Sequence, residues 1–343
     1  MVKVTKEGII LEKTFHEFES EGVLNPAAIK EGNNVHLYYR AIGKTNRSTI
    51  GYCRLEGPTK VAERWNRPMI VPEINFEISG CEDPRIVNID DLYYLSYTGY
   101  DGNNARAALA ISEDLWHFNK VGILAPPFTY DEFISGVKTD GPITDRYYRH
   151  QSFYHDDLAV GETQMLWNKD VVFFFRRIKG KLVFLHRIRP GIQIVSVDSL
   201  KELTKEFWNN YFLHFEEHTV MEPSYDHESS YVDSGCPPIE TPYGWLLIYH
   251  GADETNHGIE YSACAAALLN LENPCKLISR LPYALFKPEY DWEKRGEVNN
   301  IVFPTGTALF GDTLYIYYGA AHERIAVASV NLPELVEELV SRW

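Results

Sequence analysis

The sequence predicts an all-β protein built as a five-bladed β-propeller with a short C-terminal helix. The prediction depends on two observations: the chain is rich in aromatic residues, and one three-strand pattern recurs five times along it. The 22 Tyr, 17 Phe and 7 Trp make up 13% of the 343 residues, and such residues favour pleated, half-buried strands. Small antiparallel sheets that cannot bury both faces alone are expected to stack around an axis.

Each copy of the pattern begins with a short strand that often contains Pro, continues through a turn into an aromatic strand, and ends in a strand of small residues. The turns carry Gly, Asn and Asp, the residue types that tight turns require. A β-sandwich would explain the strand content but not the recurrence. The predicted first strands are Leu24–Ile29, Glu82–Val87, Val172–Arg177, Cys236–Ile239 and Phe303–Gly306, and the aromatic strands are 35–40, 92–97, 182–187, 245–251 and 314–319.

Two segments outside the repeat have helical patterns. Residues 198–208 are expected to form a helix capped by Asp198 or Ser199. Residues 331–340 have Pro333 near the start and an apolar stripe, which predicts a helix that packs on the outer face of the propeller or forms a contact in a homo-oligomer. No low-complexity linker divides the chain, so residues 1–343 are expected to form a single domain.

Charge and composition exclude several classes of function. The 48 acidic and 33 basic residues give a net charge of −15, which disfavours binding to nucleic acid or to an anionic membrane. No apolar run reaches the length of a membrane span, and Met1–Glu7 lacks the apolar segment of a secretory signal. The five scattered cysteines contain no CxxC pair. We therefore expect a cytoplasmic protein with no metal and no organic cofactor.

The first strand of each propeller blade lines the central channel, so residues just before the Pro of the repeat should converge at one mouth. Only Asp83 among them is a carboxylate, and Arg40, Lys169 and Arg187 flank neighbouring strands. Such a mouth would suit a small polar ligand with an anionic partner. The five positions expected at the mouth are Asn25, Asp83, Phe174, Cys236 and Phe303.

The strongest local signal is the motif Glu82-Asp83-Pro84-Arg85-Ile86. Asp83 and Arg85 could form an ion pair that ties neighbouring blades, or Asp83 could act in catalysis. Glu82 would raise the pKa of Asp83 by repulsion and Arg85 would lower it, so the sequence leaves the direction open.

Seven motifs in order resemble glycoside hydrolase family 130, the β-mannoside phosphorylases and related β-mannosidases. The resemblance covers residues 20–330. The motifs are Asn-Pro at 25–26, Glu-Asp-Pro-Arg at 82–85, Leu-His-Arg at 185–187, Gly-Cys-Pro-Pro-Ile-Glu-Thr at 235–241, Gly-Trp-Leu-Leu-Ile-Tyr-His-Gly at 244–251, Val-Phe-Pro-Thr-Gly at 302–306 and Tyr-Tyr-Gly-Ala-Ala at 317–321.

The resemblance implies an enzyme that cleaves β-mannosides with inversion at the anomeric carbon. It implies that Asp83 is the general acid, which protonates the leaving oxygen through a sugar hydroxyl, and that Lys169 and Arg187 bind inorganic phosphate as co-substrate. Asn25 and Arg40 would hold the mannose. The remaining predicted substrate-binding residues are Glu82, Arg85, His250 and His322.

The sequence departs from the family pattern at several positions. Tyr231 stands at a position that is commonly basic in phosphorylases, and nearby Glu228 and Asp233 are candidates for a hydrolytic base or for solvated loop charges. Arg176 either replaces the missing positive charge or pairs with an acidic surface residue. His322 replaces an Asp that contacts sugar, which leaves the sugar substrate open.

Three functions follow from these residues. An inverting phosphorylase needs cations to hold phosphate behind the anomeric carbon, whereas an inverting mannosidase needs a carboxylate base to activate water. A sugar-binding propeller without activity is the third. The family match, Lys169 and Arg187 favour the phosphorylase.

Overall fold

The computed structural model of the protein describes residues 1–137, 145–148, 165–255 and 258–342. The five-bladed propeller is confirmed: the strands form five antiparallel blades that follow the five predicted repeats. The first blade comprises Gly22–Glu31 (β2), Asn34–Ile42 (β3), Ser48–Glu56 (β4) and Lys60–Arg64 (β5). The second comprises Gly80–Ile89 (β6), Leu92–Tyr100 (β7), Ala105–Ser112 (β8) and Asn119–Ile123 (β9).

The third blade comprises Lys169–Phe173 (β10), Leu182–Ile188 (β11), Gly191–Val197 (β12) and Thr219–Met221 (β13). In the fourth blade the inner strand is split into Tyr231–Asp233 (β14) and Ile239–Thr241 (β15), which both pair with Gly244–Thr255 (β16); Gly258–Leu269 (β17) and Leu277–Arg280 (β18) follow outward. The fifth contains Val302–Phe310 (β19), Thr313–Ala320 (β20), Arg324–Asn331 (β21) and the N-terminal strand Val4–Leu11 (β1).

The hydrophobic core is divided into five clusters, and each lies between two consecutive blades. Successive side chains of a strand point to opposite faces, so one strand supplies two clusters. On β16, Leu246 and Ile248 pack toward the fifth blade, whereas Trp245 and Leu247 pack toward the third. The cluster between the fifth and first blades packs residues from near the start of the chain, such as Leu11, against residues from near its end, such as Val327. This arrangement arises in a ring of blades and not in a two-layer sandwich.

Backbone hydrogen bonds also connect each blade to the next. In each bond, one partner belongs to the inner strand of a blade or lies one or two residues before it, and the other partner belongs to the neighbouring blade. The five bonds run from Ser48 N to Ser79 O (3.2 Å), Ala107 N to Asn168 O (2.8 Å), Val232 N to Pro190 O (3.0 Å), Ser262 N to Asn300 O (2.9 Å) and Val23 N to Glu323 O (3.2 Å).

The helices lie outside the blades. The C-terminal helix Leu332–Val340 is confirmed, with Asn331 as its cap and an apolar face packed on the fourth and fifth blades. The helix predicted over 198–208 is shifted: a 3₁₀ turn spans Leu200–Glu202, and the α-helix begins after Thr204, whose hydroxyl caps it. This α-helix spans Lys205–Leu213. The other helical segments are Tyr130–Gly136, 145–148, Phe215–His218 and Asp291–Lys294, with 3₁₀ turns at Glu17–Glu19, Asn75–Glu77 and Asp226–Glu228.

In the residues that the structure describes, no helix is both long enough and apolar enough to cross a membrane.

One predicted position at the channel mouth is wrong. The inner strand of the third blade ends at Phe173, and Phe174 packs against Trp245 with ring centroids 4.9 Å apart. Phe174 therefore belongs to the core between the third and fourth blades. The predicted strand was placed about three residues too late because the third repeat lacks the Pro that marks the inner strand in the others.

The N-terminal strand β1 is held in the fifth blade by a buried ion pair. The ammonium of Lys6 contacts the carboxylate of Glu293, which is fully buried and also accepts a hydrogen bond from the Tyr318 hydroxyl at 2.8 Å. The other oxygen of Glu293 accepts from the backbone N–H groups of Glu289 and Tyr290.

Replacing Lys6 by Met should lower the free energy of unfolding by about 2 kcal/mol, because the Glu293 carboxylate loses its charge-assisted hydrogen bond while it stays buried. Urea unfolding of K6M measures this loss. The variant K3M, at an exposed lysine just before β1, should change stability by less than about 0.5 kcal/mol. Equal effects of the two substitutions would contradict the role given to the ion pair.

Candidate active site

The inner strands of the first three blades share one irregularity. In each of them the pairing register shifts at the same place, and the residue at the shift has a left-handed backbone. These residues are Asn25 with φ 49°, Asp83 with φ 49° and Asp170 with φ 54°. Among residues other than Gly, Asn and Asp tolerate this conformation best. The shared bulge therefore explains why two carboxylates and an amide occupy these positions.

Asn25 and Asp83 meet across the first two blades. The side-chain amide of Asn25 donates a hydrogen bond to Oδ1 of Asp83 at 2.7 Å, and both side chains are buried. Arg40 Nη1 lies 3.5 Å from the same Asp83 oxygen, while Arg40 Nη2 donates to Glu82 at 2.6 Å. Arg40 thus holds both neighbouring carboxylates.

The structure decides whether the pKa of Asp83 is raised or lowered, a question that the sequence left open. Burial raises the pKa of its carboxyl, but the charges of Arg40, Lys169 and Arg85, with the hydrogen bond from Asn25, lower it further. The net pKa lies well below the ordinary value, so Asp83 is ionised in the free protein at neutral pH.

Arg85 does not pair with the Asp83 carboxylate. Its Nη1 donates to the backbone carbonyls of Asp83 and Pro84 at 2.8 and 3.1 Å, and its Nε donates to Gly235 O of the fourth blade at 2.6 Å. Its guanidinium carbon lies 5.7 Å from the ring of Phe303 in the fifth blade. Arg85 therefore ties three blades around the axis, and the proposed ion pair between Asp83 and Arg85 is replaced by one between Asp83 and Arg40.

Arg187 forms a second cluster with two carboxylates. Its Nη2 lies 2.8 Å from Asp170 Oδ2, and its Nε contacts Asp233 Oδ1. All three side chains are almost completely buried. Burial and the charge of Asp170 raise the pKa of Asp233 to about 6, although Arg187, Arg189 and Lys169 act in the opposite direction. The Asp170 carboxyl has a lowered pKa: burial would raise it, but Lys169 and Arg187 outweigh that effect.

Tyr231, which stands where a basic residue was expected, lies between two arginines. Its ring centroid is 3.7 Å from the Arg189 guanidinium carbon and 5.8 Å from that of Arg187. Positive charge is thus supplied at this position by residues of the third blade. His250 Nδ1 lies 3.8 Å from Asp233 Oδ2, and its ring packs on Phe303. Burial, Arg187 and Arg189 lower the pKa of His250 well below its ordinary value, so His250 is neutral.

His322 lies beside the Asp83 cluster. Burial lowers the pKa of His322 to about 4, with Arg40 and Lys169 adding to the effect and Asp83 opposing it. A neutral imidazole can donate and accept hydrogen bonds, which sugar hydroxyls require.

The two clusters are adjacent because Lys169 and Asp170 are consecutive residues. Lys169 acts electrostatically on Asp83, Asp170, Asp233 and His322. The structure therefore brings together the predicted site residues Asn25, Arg40, Glu82, Asp83, Arg85, Lys169, Arg187, Asp233, His250 and His322.

Glu228 has different partners. It is fully buried and contacts the Tyr249 hydroxyl, accepts from Arg280 at 2.9 Å and accepts from the backbone N–H of Ser224 at 3.0 Å. These contacts hold the turn Asp226–Glu228 against the fourth blade.

Arg176 pairs with Glu240 at 2.6 and 2.7 Å on the surface. Of its two predicted roles, the structure therefore shows the pairing with an acidic surface residue.

The cysteines near the mouth are buried. Cys236 is fully buried, and burial raises the pKa of its thiol far above the ordinary value, as it does for Cys81. In the described part of the chain, no group of three His, Cys, Asp or Glu side chains is placed to hold a metal ion.

Sequence reasoning missed Asp170 and Arg189. Asp170 follows Lys169 as Asp83 follows Glu82, but no Pro comes after it, so the repeat pattern did not point to it. Arg189 lies two residues beyond the recognised Leu-His-Arg motif, on the same side of the chain as Arg187.

A propeller whose inner strands place a buried carboxylate beside several cations is the arrangement expected of a glycoside-cleaving enzyme with an anionic co-substrate. The family model of glycoside hydrolase family 130, described as beta-1,4-mannooligosaccharide phosphorylase, matches residues 10–341. The chain belongs to this family.

Two curated relatives agree with this assignment, and a solved structure agrees with the fold. The chain is 32% identical over 344 residues to the 1,2-beta-oligomannan phosphorylase of Thermoanaerobacter sp. (strain X514), covering 97% of this chain and 98% of the relative. It is also 32% identical to the beta-1,2-mannobiose phosphorylase of the same organism, with 96% and 97% covered. The structure of the beta-1,2-mannobiose phosphorylase from Listeria innocua superimposes with a TM-score of 0.74 at 20% identity, over 99% of this chain and 100% of that one.

Proposed function

We propose that the protein is an inverting phosphorylase that cleaves a β-mannoside with inorganic phosphate and releases mannose 1-phosphate. The observation that carries the proposal is the pairing of two features at one mouth. The Asp83 carboxylate lies with Asn25 and Arg40 and is acted on by the charge of Lys169. Arg187 is the strand partner of Lys169 and pairs with Asp170, the residue after it. Phosphorolysis needs both: an acid that protonates the leaving oxygen and cations that hold the phosphate.

In this proposal the mannose binds over the first two blades. Asn25, Arg40 and His322 contact its hydroxyl groups, and Arg85 keeps the inner strands in place. Asp83 acts as the general acid. Its proton reaches the glycosidic oxygen through a sugar hydroxyl as the bond from C1 to that oxygen breaks, and an oxygen of phosphate forms a bond to C1 from the opposite face. The anomeric configuration is therefore inverted.

The free protein holds Asp83 ionised, so the acid must gain its proton when substrate is bound. A sugar that enters the mouth displaces water and weakens the contact with Arg40. Both changes raise the pKa of a carboxyl group. Substrate binding and protonation of Asp83 are therefore coupled.

The two relatives at 32% identity favour a β-1,2-linked mannoside as substrate, because their names describe β-1,2-oligomannan and β-1,2-mannobiose. We expect β-1,2-mannobiose with phosphate to yield mannose 1-phosphate and mannose, and β-1,4-mannobiose to react more slowly. Chromatographic product analysis with and without phosphate measures both rates. Sugar release at the same rate without phosphate would refute phosphorolysis, and a faster reaction of the β-1,4 isomer would refute the linkage.

An inverting mannosidase is the second candidate, and Asp233 is the observation that favours it. A buried carboxyl whose pKa is near 6 has the properties of a general base for water. Glu228 is the weaker choice, because both of its oxygens already accept from Tyr249, Arg280 and the backbone. Release of free mannose without phosphate, lost in Asp233→Asn, would support this alternative.

A further inference from the structure

The guanidinium of Arg187 is occupied by protein carboxylates on two of its three nitrogens. Asp170 lies on Nη2 at 2.8 Å, and Asp233 contacts Nε. Nη1 and Nε are both buried and neither makes a hydrogen bond to a residue that the structure describes, so the contact of Nε with Asp233 is an ion pair and Nη1 is left for an anion. Two negative charges therefore already face Arg187, one of the two cations of the proposed phosphate site.

An anion that approaches Nη1 meets both carboxylates at short range. Like charges about 6 Å apart in a partly buried site weaken binding by roughly 100-fold for each unit of charge. Phosphate would thus bind poorly at Arg187 while Asp170 and Asp233 are both ionised. Relief of this repulsion requires that one carboxylate becomes neutral.

Geometry and charge select Asp233 as that carboxylate. Asp170 is adjacent to Lys169 and paired with Arg187, and these cations keep it ionised. In the described part of the chain, Asp233 contacts Arg187 as an ion pair and lies 3.8 Å from neutral His250. Burial and Asp170 raise the pKa of Asp233 to about 6. The charged or titratable groups that face it are Lys169 and Asp170 from β10, Arg187 from β11, Arg189 after β11, Tyr231 from β14 and His250 from β16.

We propose that Asp233 gates the anion site: phosphate binds at Arg187 when Asp233 carries a proton and is excluded when Asp233 is ionised on Arg187. The proposal rests on the proposed function, because it takes Arg187 as a phosphate contact. When protonated, Asp233 releases Nε of Arg187 and its own O–H becomes a donor to the anion. Binding of the anion therefore takes up one proton.

The sign of the pH dependence follows. Below about pH 6 Asp233 is already protonated, and affinity for the anion is high and constant. Above that pH each further unit costs about tenfold in affinity, because a proton must be taken up from increasingly dilute solution. His250 and His322 do not contribute, because both are neutral across this range.

The test is calorimetric titration with sulfate, whose charge is constant between pH 5 and 8. In the wild-type protein the sulfate affinity should fall about tenfold per pH unit above pH 6. In Asp233→Asn, whose amide is neutral at every pH, the affinity should be high and independent of pH. Asp198→Asn, at an exposed aspartate, is the matched control and should behave as wild type. Thermal unfolding checks that each variant is folded.

Several results would overturn the gate. One is a wild-type pH profile no steeper than that of D233N, and another is weaker sulfate binding by D233N than by wild type at pH 7.5. A separate assay of mannose 1-phosphate at pH 5.5 tests the proposed function. If the sulfate profile holds but no variant makes mannose 1-phosphate, the gate stands and the proposed function fails. Phosphate-independent mannose release that D233N abolishes would make Asp233 a base and overturn the gate.

Discussion

Replacing Asp83 by Asn is expected to lower the rate of phosphorolysis by about 10² to 10⁴-fold, the usual contribution of a general acid. Asn keeps the left-handed backbone at this position and the size of the side chain, but it cannot deliver a proton. Asp83 is the acid of the proposed mechanism, and its buried contacts with Asn25 and Arg40 hold its carboxyl group in place. Formation of mannose 1-phosphate under saturating phosphate is the measurement.

The control for this variant lies in the same blade. Asp91 also has a left-handed backbone, with φ 62°, but it occupies the exposed turn between β6 and β7. Asp91→Asn should keep full activity. The role of Asp83 would be rejected if D83N retained more than about a tenth of the wild-type rate, because general acid catalysis contributes at least about 100-fold. A substrate with an activated leaving group should recover much of the loss, since it needs no proton.

Replacing Arg187 by Met should destabilise the protein by about 3–5 kcal/mol, because it leaves Asp170 and Asp233 buried without their shared cation. Urea unfolding measures this loss. Further replacement of both carboxylates by amides, in R187M/D170N/D233N, should recover a large part of it. The triple variant still lacks the packing of the Arg187 side chain but has no uncompensated charges. Recovery of stability would therefore show that the charges, and not the lost packing, cause the destabilisation.

The matched control is an arginine with equally short contacts on the surface. Arg176 pairs with Glu240 at 2.6 and 2.7 Å, but its side chain is 39% exposed. Arg176→Met should cost about 0–1 kcal/mol, because solvent screens the exposed pair. If R187M and R176M were equally stable, Arg187 would have no structural role between the two carboxylates.

The fold and the family could be predicted from local pattern. Repeated aromatic strands with turn residues between them led to five blades, and the cap and apolar stripe of residues 331–340 led to the C-terminal helix. The part of the fold that was missed is non-local. β1 lies at the opposite end of the sequence from β21, its partner, and nothing in either strand encodes that pairing.

The active-site prediction was strongest where Pro marks the inner strand. Asn25 and Asp83 each precede a Pro, whereas Asp170, which shares their bulge, does not, and Phe174 was placed at the mouth instead. A register shift depends on how two strands pair, so it has no fixed sequence signature. The charge state of Asp83 was likewise undecided, because the cation that matters most is Arg40 of another blade.

The order of residues alone determined the propeller, the family and the acid candidate, since each depends on neighbours along the chain. Only the tertiary structure decided which charges meet: that Arg40 and not Arg85 pairs with Asp83, and that Arg187 lies between two carboxylates. The reason is physical. Electrostatic interactions act through space and grow as water is removed, and distances across a channel are set by the packing of all five blades.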